Sequence, residues 1–99
     1  MPFVYILYSA LIDKYYVGYT NTSVEERLTK HNSNYYDNKW TKTGIPWVVY
    51  FQIECSTTKQ AILIERHIKK MKSVTYLKNI KAYPEISQKL LEKYFDSMP

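Results

Sequence analysis

Two tyrosines, an arginine, a histidine and a glutamate are the side chains of this sequence whose types and order could do chemistry together. Tyr5 and Tyr16 stand in the short runs Phe3-Val4-Tyr5 and Tyr16-Val17-Gly18, Arg27 and His31 follow at a four-residue spacing, and Glu65 lies well downstream. Hydrolysis of a phosphodiester needs an activated water, a cation against the charge that develops on the phosphoryl oxygens, and a fixed geometry. Glu65 could hold Mg²⁺ (or Mn²⁺), an ion that often takes only one or two carboxylates and completes its shell with water and phosphate oxygens. Arg27 could donate in a fork to the phosphate or to the leaving oxygen. Tyr5, Tyr16 or His31 could accept the proton from water, a tyrosine doing so only where cations lower its pKa. Each residue also has a plainer reading: strand aromatics, the exposed flank of a helix, an ion pair between Glu65 and Arg27. Their joint occurrence favours the chemistry.

These side chains need elements to position them. Phe3 to Ser9 and Tyr15 to Thr20 are rich in β-branched and aromatic residues and flank a polar Asp13-Lys14 turn, which predicts an antiparallel hairpin. A loop centred between Ala10 and Leu11 would place Tyr5 across from Tyr16. Thr22 with Glu25, or Ser23 with Glu26, has capping-box spacing and starts a helix that runs to about Asn32, with Val24 and Leu28 as its apolar stripe. Arg27 and His31, on the flank of that stripe, point toward the sheet edge. Residues 33–46 read as a long loop, the kind that in a compact domain is more often functional than idle. Trp47 to Cys55 is a third strand, apolar enough to be central. Thr57 and Gln60 cap a helix from about Lys59 to Met71 whose buried stripe is Ala61, Ile64, Ile68 and Met71, with Glu65 inside it and in need of a partner. Two more helices are expected, over Thr75 to Ala82 and from Pro84 to about Phe95.

Composition bounds the rest. A chain of 99 residues suits one domain with one core. Eleven tyrosines exceed what such a core needs, so some are expected to face a site or a ligand. The net charge of +5 is unevenly placed: residues 1–65 carry six basic and six acidic side chains, whereas residues 66–93 carry eight basic against Glu85 and Glu92. That cluster, with Lys69, Lys70, Lys72, Lys78 and Lys81, suits a polyanion, although it is equally a solvated helix surface. The single Cys55 excludes an internal disulfide and a thiolate metal cluster. Without a charged leader or a run approaching about 20 apolar residues, a cytoplasmic location and no membrane contact are expected.

The ordered set resembles the GIY-YIG nuclease superfamily, and within it the small single-domain bacterial members. The resemblance covers roughly residues 2–82. Phe3-Val4-Tyr5 stands in place of the first signature and Tyr16-Val17-Gly18-Tyr19-Thr20 in place of the second. Then come Glu26-Arg27-Leu28 with His31-Asn32, Thr41-Lys42, the strand Trp47 to Tyr50, and Ala61 with Glu65 and Lys69-Lys70. The resemblance implies an α/β (α+β) fold with a central three-stranded antiparallel sheet flanked by helices. It maps the signature tyrosines onto Tyr5 and Tyr16, the helix arginine onto Arg27, the histidine onto His31 and the metal-binding glutamate onto Glu65. It also implies a divalent-metal endonuclease of nucleic acid, DNA foremost, with a tyrosine as general base, and Lys42 joins the nucleic-acid-binding lysines. The first signature glycine is replaced by Phe3, and isoleucine by valine in both motifs. Larger members choose substrates through an attached domain, so a protein partner supplying specificity is implied here. The alternatives are a non-catalytic nucleic-acid-binding module and an accessory subunit of the same fold.

Overall fold

In the computed structural model, which describes residues 1–33 and 39–95, the chain runs as β1 (Phe3–Ser9), β2 (Lys14–Thr20), α1 (Val24–Asn32), α2 (Lys39–Thr43), β3 (Val48–Glu54), α3 (Thr58–Met71), α4 (Val74–Ala82) and α5 (Pro84–Lys93). The three strands form one antiparallel sheet in the order β2-β1-β3. β1 is therefore the central strand. Val4, Tyr5, Ile6 and Leu7 are all buried, so its two faces are both covered, which is why it reads as an apolar run rather than an alternating one. The third strand, expected to be central, is an edge. Its partner lies on one side only, and Val48 and Val49 stay exposed despite their apolar character.

The β1–β2 loop spans four residues, 10–13, with Asp13 in the left-handed region at φ 51°, a conformation that Asp tolerates better than most. The Tyr8 hydroxyl donates to Asp13 Oδ1 at 2.8 Å and closes the loop. This loop sets the register two residues away from the one expected: Tyr5 faces Gly18, and Tyr16 faces Leu7. Tyr5 and Tyr16 are diagonal rather than opposite, yet remain on one face because a shift of two preserves the alternation.

That face carries the smaller cluster, Tyr5, Leu7, Val24 and Trp47, under α1. The other face carries the larger one, in which Val4, Ile6 and Ile53 meet Ala61, Ile64 and Ile68 of α3, Leu77 and Ile80 of α4 and Leu90 of α5. Burying a side chain such as Ile64 contributes on the order of 2 kcal/mol. Gln60, itself buried, accepts from the Ser56 N–H at 2.7 Å and donates to the Leu91 carbonyl at 2.8 Å, tying α3 to α5. Met71, expected in the buried stripe, is exposed: it is the last residue of α3, beyond the reach of the sheet. The stretch expected to be loop, 33–46, contains the short helix α2, and its residues 34–38 lie outside those described. Between β1 and β3 the register shifts: Ile6 pairs with Phe51 and Leu7 with Val49, so Tyr50 is an extra residue, a β-bulge.

Candidate active site

The hairpin places the tyrosines. Their rings stack at 6.3 Å between centroids and 25° between planes. Tyr5 is almost wholly buried, and its phenol lies over Gly18, where an added Cβ would sit 2.7 Å from the Tyr5 hydroxyl. Only a residue without a side chain leaves that space.

Helix α1 supplies the next two groups. Ser23 caps it, accepting from the Glu26 N–H at 3.1 Å, and Glu25 and Glu26 occupy the first turn, where the helix dipole favours acids. The cap starts the helix so that Arg27 and His31 lie one turn apart on the side facing the hairpin. Arg27 donates through Nε to the Thr20 hydroxyl at 3.3 Å. Thr20 is fully buried, and its Oγ1 also accepts from the Thr22 N–H at 3.1 Å and lies 3.0 Å from the Thr22 hydroxyl. His31 is buried against both tyrosines, with its ring 4.5 Å from that of Tyr16 and its Nε2 3.4 Å from the Tyr5 hydroxyl. Burial, and then the Arg27 charge, hold its imidazole below the usual histidine range.

From the opposite side of the sheet, α3 brings Glu65, which pairs with Lys69 one turn on at 3.1 Å. The partner that this acid needs is therefore Lys69. Tyr5, Tyr16, Arg27, Glu65 and Lys69 line one cleft of about 360 Å³ at the open edge of β2, with Gly18 in its wall. Of the sequence-derived candidates, Tyr5, Tyr16, Arg27 and Glu65, with Lys69 of the nucleic-acid-binding set, thus share one space. His31 stands behind the tyrosines and does not line it.

The lysines disperse. Lys69 borders the cleft, Lys72 lies in a separate hollow near the hairpin loop, and Lys70 lies on another flank of α3. Lys42 is exposed on α2 and Lys78 on α4, while the Lys81 ammonium rests 4.4 Å from the centre of the Tyr50 ring. Sequence reasoning missed Thr20 as the anchor of Arg27. Asn32 was quoted without a role: its side chain accepts from the Trp47 N–H at 2.6 Å and donates to the Trp47 carbonyl at 3.0 Å, clamping the end of α1 to the start of β3. Trp47 in turn packs near Tyr16 and donates through Nε1 to the Thr41 carbonyl at 2.8 Å.

Among the described residues no cluster of three or more His, Cys, Asp or Glu could hold a metal. A lone carboxylate beside a cleft fits an ion that keeps most of its waters, as Mg²⁺ does, and not a closed zinc-type site. No helix among the described residues is long and apolar enough to cross a membrane.

A family model for the GIY-YIG catalytic domain matches residues 1–78, a stretch that includes every residue of the cleft. No curated protein and no solved structure matches the chain. The match spans most of the sequence, and the three-stranded antiparallel sheet with its flanking helices agrees with it. By these findings the chain belongs to the GIY-YIG family, a family of nucleases.

Proposed function

We propose that the protein is a divalent-metal-dependent endonuclease that hydrolyses phosphodiester bonds of nucleic acid, DNA foremost. The observation that carries this reading is the convergence of Tyr5, Tyr16, Arg27 and Glu65, from four separate elements, on one cleft. Glu65 would hold Mg²⁺ or Mn²⁺, which supplies Lewis-acid polarisation of the phosphate when bound.

The chain's own groups do the rest. The Arg27 guanidinium, anchored by Thr20, presents its remaining donors to a phosphoryl or leaving oxygen. Tyr5 lines the cleft, and His31 Nε2 lies 3.4 Å from its hydroxyl. With the imidazole protonated at Nδ1, the Tyr5 hydroxyl donates to Nε2. As water attacks phosphorus, Tyr5 takes the water proton and passes its own to His31, while the ester P–O bond breaks and the leaving oxygen is protonated from solvent. A lowered histidine pKa keeps that acceptor neutral at physiological pH. Tyr16, its ring tilted at 59° against that of His31, holds the pair in place and borders the substrate.

The test is cleavage of single-stranded, duplex, branched and RNA substrates with Mg²⁺ or Mn²⁺ against chelator, with Glu65→Ala as control. Cleavage lost in chelator and in the variant supports the reading. No cleavage by the wild type, together with salt-sensitive binding, makes a non-catalytic binding module the account.

A further inference from the structure

Helix α3 has a second charged flank. Glu65 and Lys69 face the cleft, whereas Arg66 and Lys70 are each one residue on, about 100° around the helix. There, α3 and the end of α5 enclose a groove of about 520 Å³ lined by Arg66, His67, Lys70 and Lys93, with Leu63 and Tyr94 as its floor. It continues past Lys93 and Tyr94 to Lys59 and Phe95. No carboxylate lines it among the described residues. His67 Nδ1 lies 2.9 Å from the Tyr94 hydroxyl, which fixes that ring, and Phe95 is 62% exposed at the groove's end.

Cations alone would suit any polyanion. Here they run beside Tyr94, which is half-buried with the Lys93 ammonium 5.4 Å from its ring centre, to the exposed Phe95, and cations along a groove that ends on an exposed ring suit single-stranded nucleic acid, phosphates on the charges and a base against the ring. We propose that this groove binds a single-stranded segment of nucleic acid, its phosphates on Arg66, Lys70 and Lys93 and a base against Phe95. The assignment rests on the nucleic-acid reading above. It adds a contact surface on the far side of α3 from the bond that is cut, so a strand leaving the cleft near Lys69 crosses one helix diameter, about 10 Å, to reach it.

The experiment is fluorescence anisotropy of a labelled single-stranded oligonucleotide, in chelator, across a salt series. Arg66→Gln/Lys93→Gln should make the salt dependence shallower by roughly 1.4 in log–log slope, two strand contacts at about 0.7 each, and Arg66→Lys/Lys93→Arg should restore it. Phe95→Ala should weaken binding by about tenfold without changing the slope. Slopes and affinities equal to wild type in all variants would overturn the proposal. So would equal binding of the matching duplex with no effect of Phe95→Ala, or a loss of polyglutamate binding with DNA binding intact, which would assign the groove to an acidic protein. Because binding is read in chelator, the two readings fail separately: absent metal-dependent cleavage removes the nuclease and leaves these slopes standing, and unchanged slopes remove the groove and leave cleavage standing.

Discussion

Tyr5 occupies the space that Gly18 leaves empty directly across the hairpin. A Cβ at position 18 would lie 2.7 Å from the Tyr5 hydroxyl, 2.8 Å from its Cζ and 3.1 Å from Tyr16 Cε1, so one glycine governs where both phenols stand.

Gly18→Ala should therefore displace the Tyr5 hydroxyl. A shift near 1 Å in a reacting group costs about 10²-fold in rate, and the overpacking costs on the order of 1–3 kcal/mol of stability. Cleavage kinetics beside thermal unfolding check this, and an unchanged rate would detach Tyr5 from the chemistry.

Thr20→Val keeps the shape of a buried residue and removes the oxygen that accepts from Arg27 and from the Thr22 N–H. With its guanidinium unanchored, kcat should fall by about tenfold with KM nearly unchanged, and Thr20→Ser should recover most of the loss. A loss confined to KM would mean that Thr20 shapes the cleft wall and does not position Arg27.

Burial and the Arg27 charge lower the His31 pKa, so as pH falls the unfolded chain binds a proton before the folded one does. The contribution of His31 to stability is complete above the ordinary imidazole value of 6.5 and is lost as pH drops through that value toward the folded-state pKa. Between about pH 7 and about pH 5 the melting temperature should decline less steeply in His31→Gln than in wild type. Parallel curves would contradict the assignment of His31 as a neutral, buried base.

Asn32→Ala removes both hydrogen bonds to the Trp47 backbone. At about 1 kcal/mol each, the loss should lower the melting temperature by roughly 10 °C, and calorimetry reads it. A change within about 2 °C would mean that water replaces the clamp.

Much of this was legible beforehand, for identifiable reasons. Helix α1 begins at Ser23, one of the two caps that the spacing offered beside Thr22, and α3 at Thr57, because a hydroxyl accepting from the third N–H onward is a local interaction that needs no tertiary context. Strand order was not legible: β1 and β3 are both apolar, and which of them lies inside depends on what covers the second face, a property of the assembled helices. The short helix α2 is below the length at which periodicity gives a signal. Tyr5, Tyr16, Arg27 and Glu65 could be named as candidates because they occur together in one order, although each is ordinary in its own element. Thr20 could not, because a threonine in a strand is ordinary until Arg27 is folded against it.

The extra residue in β3 has an effect at a distance. Upstream of Tyr50 the alternation changes phase: Phe51 and Ile53 side with the α3 core, while Val49 lies across from Leu7 and Trp47 packs with Tyr5 and Leu7 on the other side. Were Tyr50 paired in regular alternation instead of bulged out, the parity of the strand would carry Trp47 to the wrong side of the sheet and away from Tyr16. Deleting Tyr50 would keep Phe51 opposite Ile6 and Val49 opposite Leu7 and so leave Trp47 on its side, whereas a single-codon insertion between Trp47 and Val49 would invert the tryptophan's side while leaving every catalytic candidate in the sequence unaltered.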